Sequence, residues 1–200
     1  LLRPALPAFH RDHPAITLRI SSETAPDQVA EMLQRRELDL AVFTAGGAFL
    51  PPDAEVLAEV PCVVVACRRL VGDARLAPLD IARLPFVLPL DGGPATRWVE
   101  AALHGLGIRP SNVAARTQYL DVQLRMVEAG EACALLFEDV VDASPLAGEL
   151  RRLSAPVSGL KRAMATRRGD ERAELKAVAG FVRAAIGGAS FGLSSPRTPA

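Results

Sequence analysis

The sequence predicts an α/β fold. Two observations carry the prediction. Short, mostly apolar runs recur at residues 38–43, 62–68, 85–90 and 132–137, each of a length suited to a strand buried in a sheet. Between such runs lie segments whose apolar residues repeat at helical spacing, as Leu120, Leu124 and Val127 do, with Met126 nearby. Strand and helix patterns alternate along the chain, and no internal repeat interrupts them.

Each element has a local reason. A first helix over residues 1–11 is stopped by Pro14. In Ile16-Thr17-Leu18-Arg19-Ile20-Ser21, Thr17 and Arg19 alternate with apolar neighbours, which predicts a strand. A helix over about 25–36 leads into the 38–43 run, read as a buried parallel strand. The loop Thr44-Ala45-Gly46-Gly47 and then Pro51-Pro52 follow, with further strands at 55–60 and 62–68. Residues 71–80 are short and turn-rich, an exit from one lobe into another. A short helix near 78–83 precedes the strand at 85–90. Asp91-Gly92-Gly93-Pro94 then opens a helix, with Pro94 in its first turn and Gly105-Leu106-Gly107 ending it. Next come a strand at 113–117, a helix over 119–129 stopped by Gly130, and a buried strand at 132–137. A short helix at 138–143, an edge-like strand at 149–153 and a strand at 160–168 complete the sheets. An amphipathic helix over 171–186 sets Leu175, Val178, Ala179 and Val182 on one face. Gly187-Gly188 and the Ser/Pro-rich end predict a mobile tail over 188–200.

Composition narrows the function. Half of the 200 residues are hydrophobic, enough for one or two domains with a substantial core. Twenty-three basic residues balance 23 acidic ones. A stand-alone nucleic-acid binder shows a basic excess or face, so this chain is not expected to bind DNA by itself. Lys161 and Lys176 are the only lysines, which we read as genome composition rather than phosphate recognition. No apolar run is long enough to span a bilayer, and no secretory signal opens the chain. Its start at Leu1 rather than methionine suggests a piece of a longer protein. Cys62, Cys67 and Cys133 form neither a metal spacing nor an even disulfide set, and read as buried thiols in a reducing cytoplasm. His10, His13 and His104 lack a serine or cysteine partner in a recognisable elbow. No phosphate loop, HExxH or dinucleotide fingerprint occurs. No enzyme activity, cofactor or metal is therefore expected.

The order of landmarks resembles one family. The opening helix, the 16–21 strand, the next helix and Glu37-Leu38-Asp39-Leu40-Ala41-Val42-Phe43 are similar to the start of the effector-binding domain of LysR-type transcriptional regulators. Pro85-Phe86-Val87-Leu88-Pro89-Leu90-Asp91-Gly92-Gly93 and Gly107-Ile108-Arg109-Pro110 resemble the opening of that family's second lobe. Ala129-Gly130-Glu131-Ala132-Cys133-Ala134-Leu135-Leu136-Phe137 resembles its "AGxGIALLP" segment, with Ala132 and Phe137 in place of the usual glycine and proline. The resemblance spans residues 1–186. It implies two Rossmann-like lobes of the type 2 periplasmic-binding-protein kind. Lobe I would comprise residues 1–70 and 165–187, and lobe II residues 71–164. The crossings between lobes would fall near 68–72 and 164–167. It implies a homodimer, in which the apolar Leu2, Leu6 and Phe9 of the first helix would meet the partner's second lobe near 138–143. It also implies DNA binding through a winged helix-turn-helix that has no counterpart in this sequence. A periplasmic-type solute-binding protein, or a small transferase or lyase on the same fold, are the alternatives; the upstream sequence would discriminate them.

Open α/β sheets bind ligands beyond the carboxyl ends of their strands, where helix N-termini offer N–H groups. Four places qualify. The first is Ser22 and Thr24, though the family's serine or threonine one or two positions later is replaced here by Ala25 and Pro26. The second is Thr44, past the 38–43 strand. The third is Asp91, Gly92, Gly93 and Thr96, and the fourth is Gln118 and Tyr119. A cap, a turn or a surface loop would explain each residue type as well. The expected effector is a small organic molecule, anionic, held between the lobes. Each helix terminus would favour an anion by roughly 0.3–1 kcal/mol. Arg97 and Arg116 would add charge-assisted bonds, and Asp91 would oppose them if it faced inward.

Overall fold

The computed structural model describes residues 2, 5–21, 28–46, 50, 51 and 53–190. They form two compact units, one of residues 1–60 with 159–200 and one of residues 61–158. Each has its own sheet.

The first unit opens with α1 (Leu6–Asp12), which has Pro7 within its first two positions, and continues with α2 (Val29–Gln34). Strands β1 (Leu40–Gly46) and β2 (Glu55–Glu59) follow, and the chain returns as β8 (Leu160–Thr166) and α8 (Ala173–Ser190). The sheet order is β1-β8-β2, with both pairs antiparallel. β1 is therefore not the parallel strand expected. Its burial alternates along its length, so period two identified its faces but could not identify its neighbour. Ala41, Phe43 and Ala45 pack with Val29 and Leu33 of α2. Leu40 and Val42 point the other way, onto Ala179, Val182 and Ile186 of α8.

Residues 16–21 belong to neither sheet, contrary to expectation. Alternation of apolar and polar side chains does not supply a hydrogen-bonding neighbour, and Ile20 is exposed. Helix α1 also differs in use. Phe9 is buried within its own chain, its ring 4.7 Å from that of Phe181, and Leu2 packs on the α8 cluster. Phe9 and part of Leu2 are thus turned to the chain's own α8. α8 runs on through Gly187 and Gly188 to Ser190, where a tail was expected. Glycine in a helix costs only about 1 kcal/mol relative to alanine, and buried Ile186 anchors the last turns. The rest of the expected tail lies outside the described residues.

The second unit begins with β3 (Cys62–Cys67), short helices α3 (Arg68–Val71) and α4 (Pro78–Ile81), and β4 (Pro85–Leu88). Then come α5 (Pro94–Gly105), β5 (Asn112–Arg116), α6 (Leu120–Glu128), β6 (Cys133–Phe137), α7 (Glu138–Asp142) and β7 (Leu150–Arg152). The sheet order is β5-β4-β6-β3-β7. β4 is parallel to β5 and β6, while β3 is antiparallel to β6 and β7. The units part before β3, a few residues ahead of each expected crossing, because β3 bonds to β6 and β7 whereas β8 bonds to β1 and β2. Val63, Val64 and Val65 have no exposed surface. Each such side chain stabilises the unit by roughly 1.5–3 kcal/mol on burial.

Strand order reverses at β4. The chain leaves β4 through α5 to reach β5 on one side, then passes through α6 to reach β6 on the other. Right-handed crossovers in opposite directions put the two helices on opposite faces of the sheet. Val87 of β4 packs with Val127, Leu120 and Leu124 of α6, leaving Phe86 and Leu88 directed to the α5 side.

Candidate functional site

The reversal at β4 makes a switch point within the second unit. Beyond the carboxyl ends of parallel strands at such a point, two loops diverge to opposite faces and leave a crevice. β4 and β5 end in register, Leu88 opposite Arg116, and the Thr117 amide donates to the Leu88 carbonyl at 2.9 Å. The loops 89–93 and 117–119 therefore start side by side, and each leads directly into a helix.

The first loop is built by its glycines. Gly92 has φ +84°, a conformation L side chains rarely adopt. Gly93 is the N-cap of α5, with extended backbone and no side-chain cap. A Cβ at either glycine would meet nothing within 4 Å, so protein packing does not require glycine there. Thr96 is only 4% exposed and its hydroxyl donates to the Leu90 carbonyl, which locks the loop to the helix. Arg97 donates to the Gly92 carbonyl at 3.3 Å. Arg116 reaches back from β5 to the Pro89 carbonyl at 3.2 Å and to the Asp91 carboxylate at 2.9 Å. The Asp91 carboxylate, largely exposed, thus pairs with one of the two guanidinium groups at these loops.

The second loop turns on Thr117. Its hydroxyl accepts the Tyr119 amide at 3.2 Å, and its carbonyl accepts the side-chain amide of Gln123 at 2.8 Å. Tyr119 is the N-cap of α6 and its side chain is 55% exposed. Leu90, on the neighbouring loop, is 47% exposed. Gln118 is exposed as well. The free N–H groups of the first turns of α5 and α6 complete the arrangement, apart from Pro94, which has none. Chemically, the loops offer N–H donors, two guanidinium groups and two apolar side chains.

Asp91, Gly92, Gly93, Thr96, Gln118 and Tyr119 all fall on these two loops and helix starts. Thr44 does not lie in a loop; it is a half-buried residue inside β1, paired in register with Arg162. The chain keeps its extended conformation past Phe43 because Ala45 is a third inward position after Ala41 and Phe43. Ser22 and Thr24 lie outside the described residues. Two polar residues were missed by sequence reasoning. Gln123 is 7% exposed, and the buried Arg162 lies on the middle strand of the first unit. The readable signal in each case was a polar side chain among apolar ones at the period of the element.

Burial pushes the Cys133 thiol up to about 12, and all three cysteines are buried and free. Among the described residues no cluster of three His, Cys, Asp or Glu is set to hold a metal, and no helix is long and apolar enough to cross a membrane. An open groove of about 530 Å³ runs elsewhere, between α6 and edge strand β5, lined by Ala114, Asp121, Val122, Arg125, Met126, Ala129 and Glu131. It includes none of the expected contact residues.

The model of the family described as LysR substrate binding domain matches residues 1–187. No curated protein matches the chain in sequence. Among solved structures, the effector domain of the transcriptional regulator AmpR of Pseudomonas aeruginosa is 24% identical, with a TM-score of 0.66 over 92% of this chain and 89% of that one. The effector-binding domain of QuiR in complex with shikimate is 15% identical, with a TM-score of 0.65 over 92% and 90%. Full-length CbnR complexed with its target DNA is 18% identical, with a TM-score of 0.61 over 91% of this chain but 64% of that one.

Proposed function

Because the chain belongs to the LysR substrate-binding domain family, the ligand-sensing part of a class of transcriptional regulators, we propose that it holds a small anionic organic effector at the starts of α5 and α6. One observation carries this reading. Two helices open side by side at the carboxyl ends of adjacent parallel strands, at the point where strand order reverses. Backbone N–H groups there favour an anion, and Arg97 and Arg116 sit at the same loops to reinforce them. QuiR is described with shikimate, an acid, which accords with an anionic ligand. The domain acts as a sensor without catalysis.

Effector binding would act by favouring one conformational state of a parent regulator over another. DNA contact belongs to a domain outside this chain, as the DNA-bound full-length CbnR illustrates for a relative. Two copies would pair, since regulators of this kind meet two-fold-related sites. Phe9 does not supply that surface, being buried within the chain. We place the protein in the cytoplasm. Sedimentation showing only monomer at tens of micromolar would count against pairing.

The effector reading is tested by a thermal-shift screen of metabolite carboxylates and aromatic acids, followed by calorimetry. Arg97→Ala and Arg116→Ala should each weaken a hit by about tenfold, the loss of one charge-assisted bond. Hits from cations alone, or none, would overturn the site.

A further inference from the structure

α6 carries three buried residues, Gln123, Val127 and Glu128, and two of them are polar. Gln123 lies one turn before Val127, so both point to the same apolar face. An amide there is disfavoured unless it is bonded. Its side chain reaches back six residues to the Thr117 carbonyl, at 2.8 Å. With that bond every polar group of Thr117 is engaged: its amide with Leu88, its hydroxyl with the Tyr119 amide, its carbonyl with Gln123. At the far end of α6, Glu128 accepts the Ser144 hydroxyl at 2.6 Å and pairs with Arg125 at 3.0 Å. The helix is tethered at both ends by buried polar bonds.

We propose that Gln123 is a positioning residue of the effector site: it fixes loop 117–119 so that Tyr119 and the first amides of α6 face the ligand. The proposal rests on the effector reading above. It also predicts why an apolar residue does not suffice at that position. Such a residue would fill the space and leave the Thr117 carbonyl without its bond, and the loop would keep the backbone bond from the Gln123 amide to the Tyr119 carbonyl but lose the side-chain bond that ties Thr117 to the helix it leads into.

The chain has one tyrosine and one tryptophan, Tyr119 on this loop and Trp98 on α5, so Tyr-to-Trp energy transfer reports the geometry of the two helix starts. The test compares the whole chain with Gln123→Met, which keeps length without a donor, and Gln123→Glu, which donates to Thr117 only when protonated. Shikimate and benzoate serve as probes, and circular dichroism checks the fold. Gln123→Met should change the transfer efficiency and weaken the responding probe by about tenfold. Gln123→Glu should resemble the wild type near pH 5 and Gln123→Met near pH 8, since burial raises a carboxyl pKa. That pH-dependent rescue also serves if Gln123→Met fails to fold. Unchanged probe affinity in Gln123→Met, with or without altered transfer, would overturn the positioning role while leaving the effector reading intact. A wild type that responds to neither probe, nor to any carboxylate in the screen, would overturn the effector reading itself and this role with it.

Discussion

The two units reach stability by different means. The second has five strands, an interior strand whose valines have no exposed surface, and ion pairs such as those of Arg152 with Glu138 and Asp142. The first has three antiparallel strands laced along their margins by guanidinium–carboxylate pairs. Asp39 meets Arg167 at 3.3 Å and Arg172 at 2.5 Å, and Asp170 meets the same two arginines at 2.9 and 2.7 Å. Arg183 pairs with Glu55 at 2.8 Å, and Arg168 with Asp53 at 2.6 Å. Exposed pairs contribute little one by one, but shared arginines make a network. Apolar burial is nearly indifferent to pH; such a network is not. Solution conditions should therefore separate two units that sequence hydrophobicity makes look alike.

The largest expected effect is a cavity in the second unit. Phe86→Ala, at a β4 position with no exposed surface, should cost about 3–5 kcal/mol in urea unfolding followed by Trp98 fluorescence. A loss below about 1 kcal/mol would mean that β4 is not core. Gly92→Ala should cost about 1–2 kcal/mol by the same assay, through its φ of +84° rather than through any clash.

Acid should act on the first unit. The Arg172 guanidinium beside Asp170 holds its carboxyl at about 2, Arg172 likewise lowers Asp39, and Arg183 lowers Glu55. A depressed carboxylate stabilises fully above its unfolded pKa of about 4, and that stability is lost as pH falls through the folded value. Trp98 and Tyr119 both lie in residues 61–158, so fluorescence observes only the second unit. Between about pH 4 and pH 2, circular dichroism should lose signal before Trp98 responds, and Asp170→Asn should blunt the difference. Coincident transitions would erase the proposed contrast. A double-mutant cycle on Glu55 and Arg183 should give only about 0.2–1 kcal/mol, shrinking in salt. The smallest effect is none at all: Cys133, held near 12, should resist thiol reagents at neutral pH until the second unit unfolds.

The α/β class and the order of elements were legible because apolar periodicity and Pro/Gly punctuation are local signals. Which strands pair was not legible. Leu40 to Gly46 reads equally well beside a parallel or an antiparallel neighbour, and β3 carries no mark of the unit it joins. At the site, Asp91, Gly92 and Gly93 announced a loop before a helix, and Tyr119 announced the next. Thr44 misled because a hydroxyl after an apolar run looks like a strand end, whereas Ala45 continues the burial. Gln123 escaped notice because attention to Leu120, Leu124 and Val127 treats the polar residue among them as solvent-facing.

β8 sits between β1 and β2, yet among the described residues it leaves a ribosome after every other strand. During synthesis β1 and β2 emerge early and have no shared neighbour until residues 160–166 appear. By then residues 61–158, which need nothing from either end for their own sheet, have already emerged. The nascent chain thus completes its inserted portion first and closes its outer portion afterwards. A chain cut anywhere between β7 and β8 would retain a complete five-stranded sheet and two orphaned strand edges, the kind of exposed backbone that recruits other chains into aggregates.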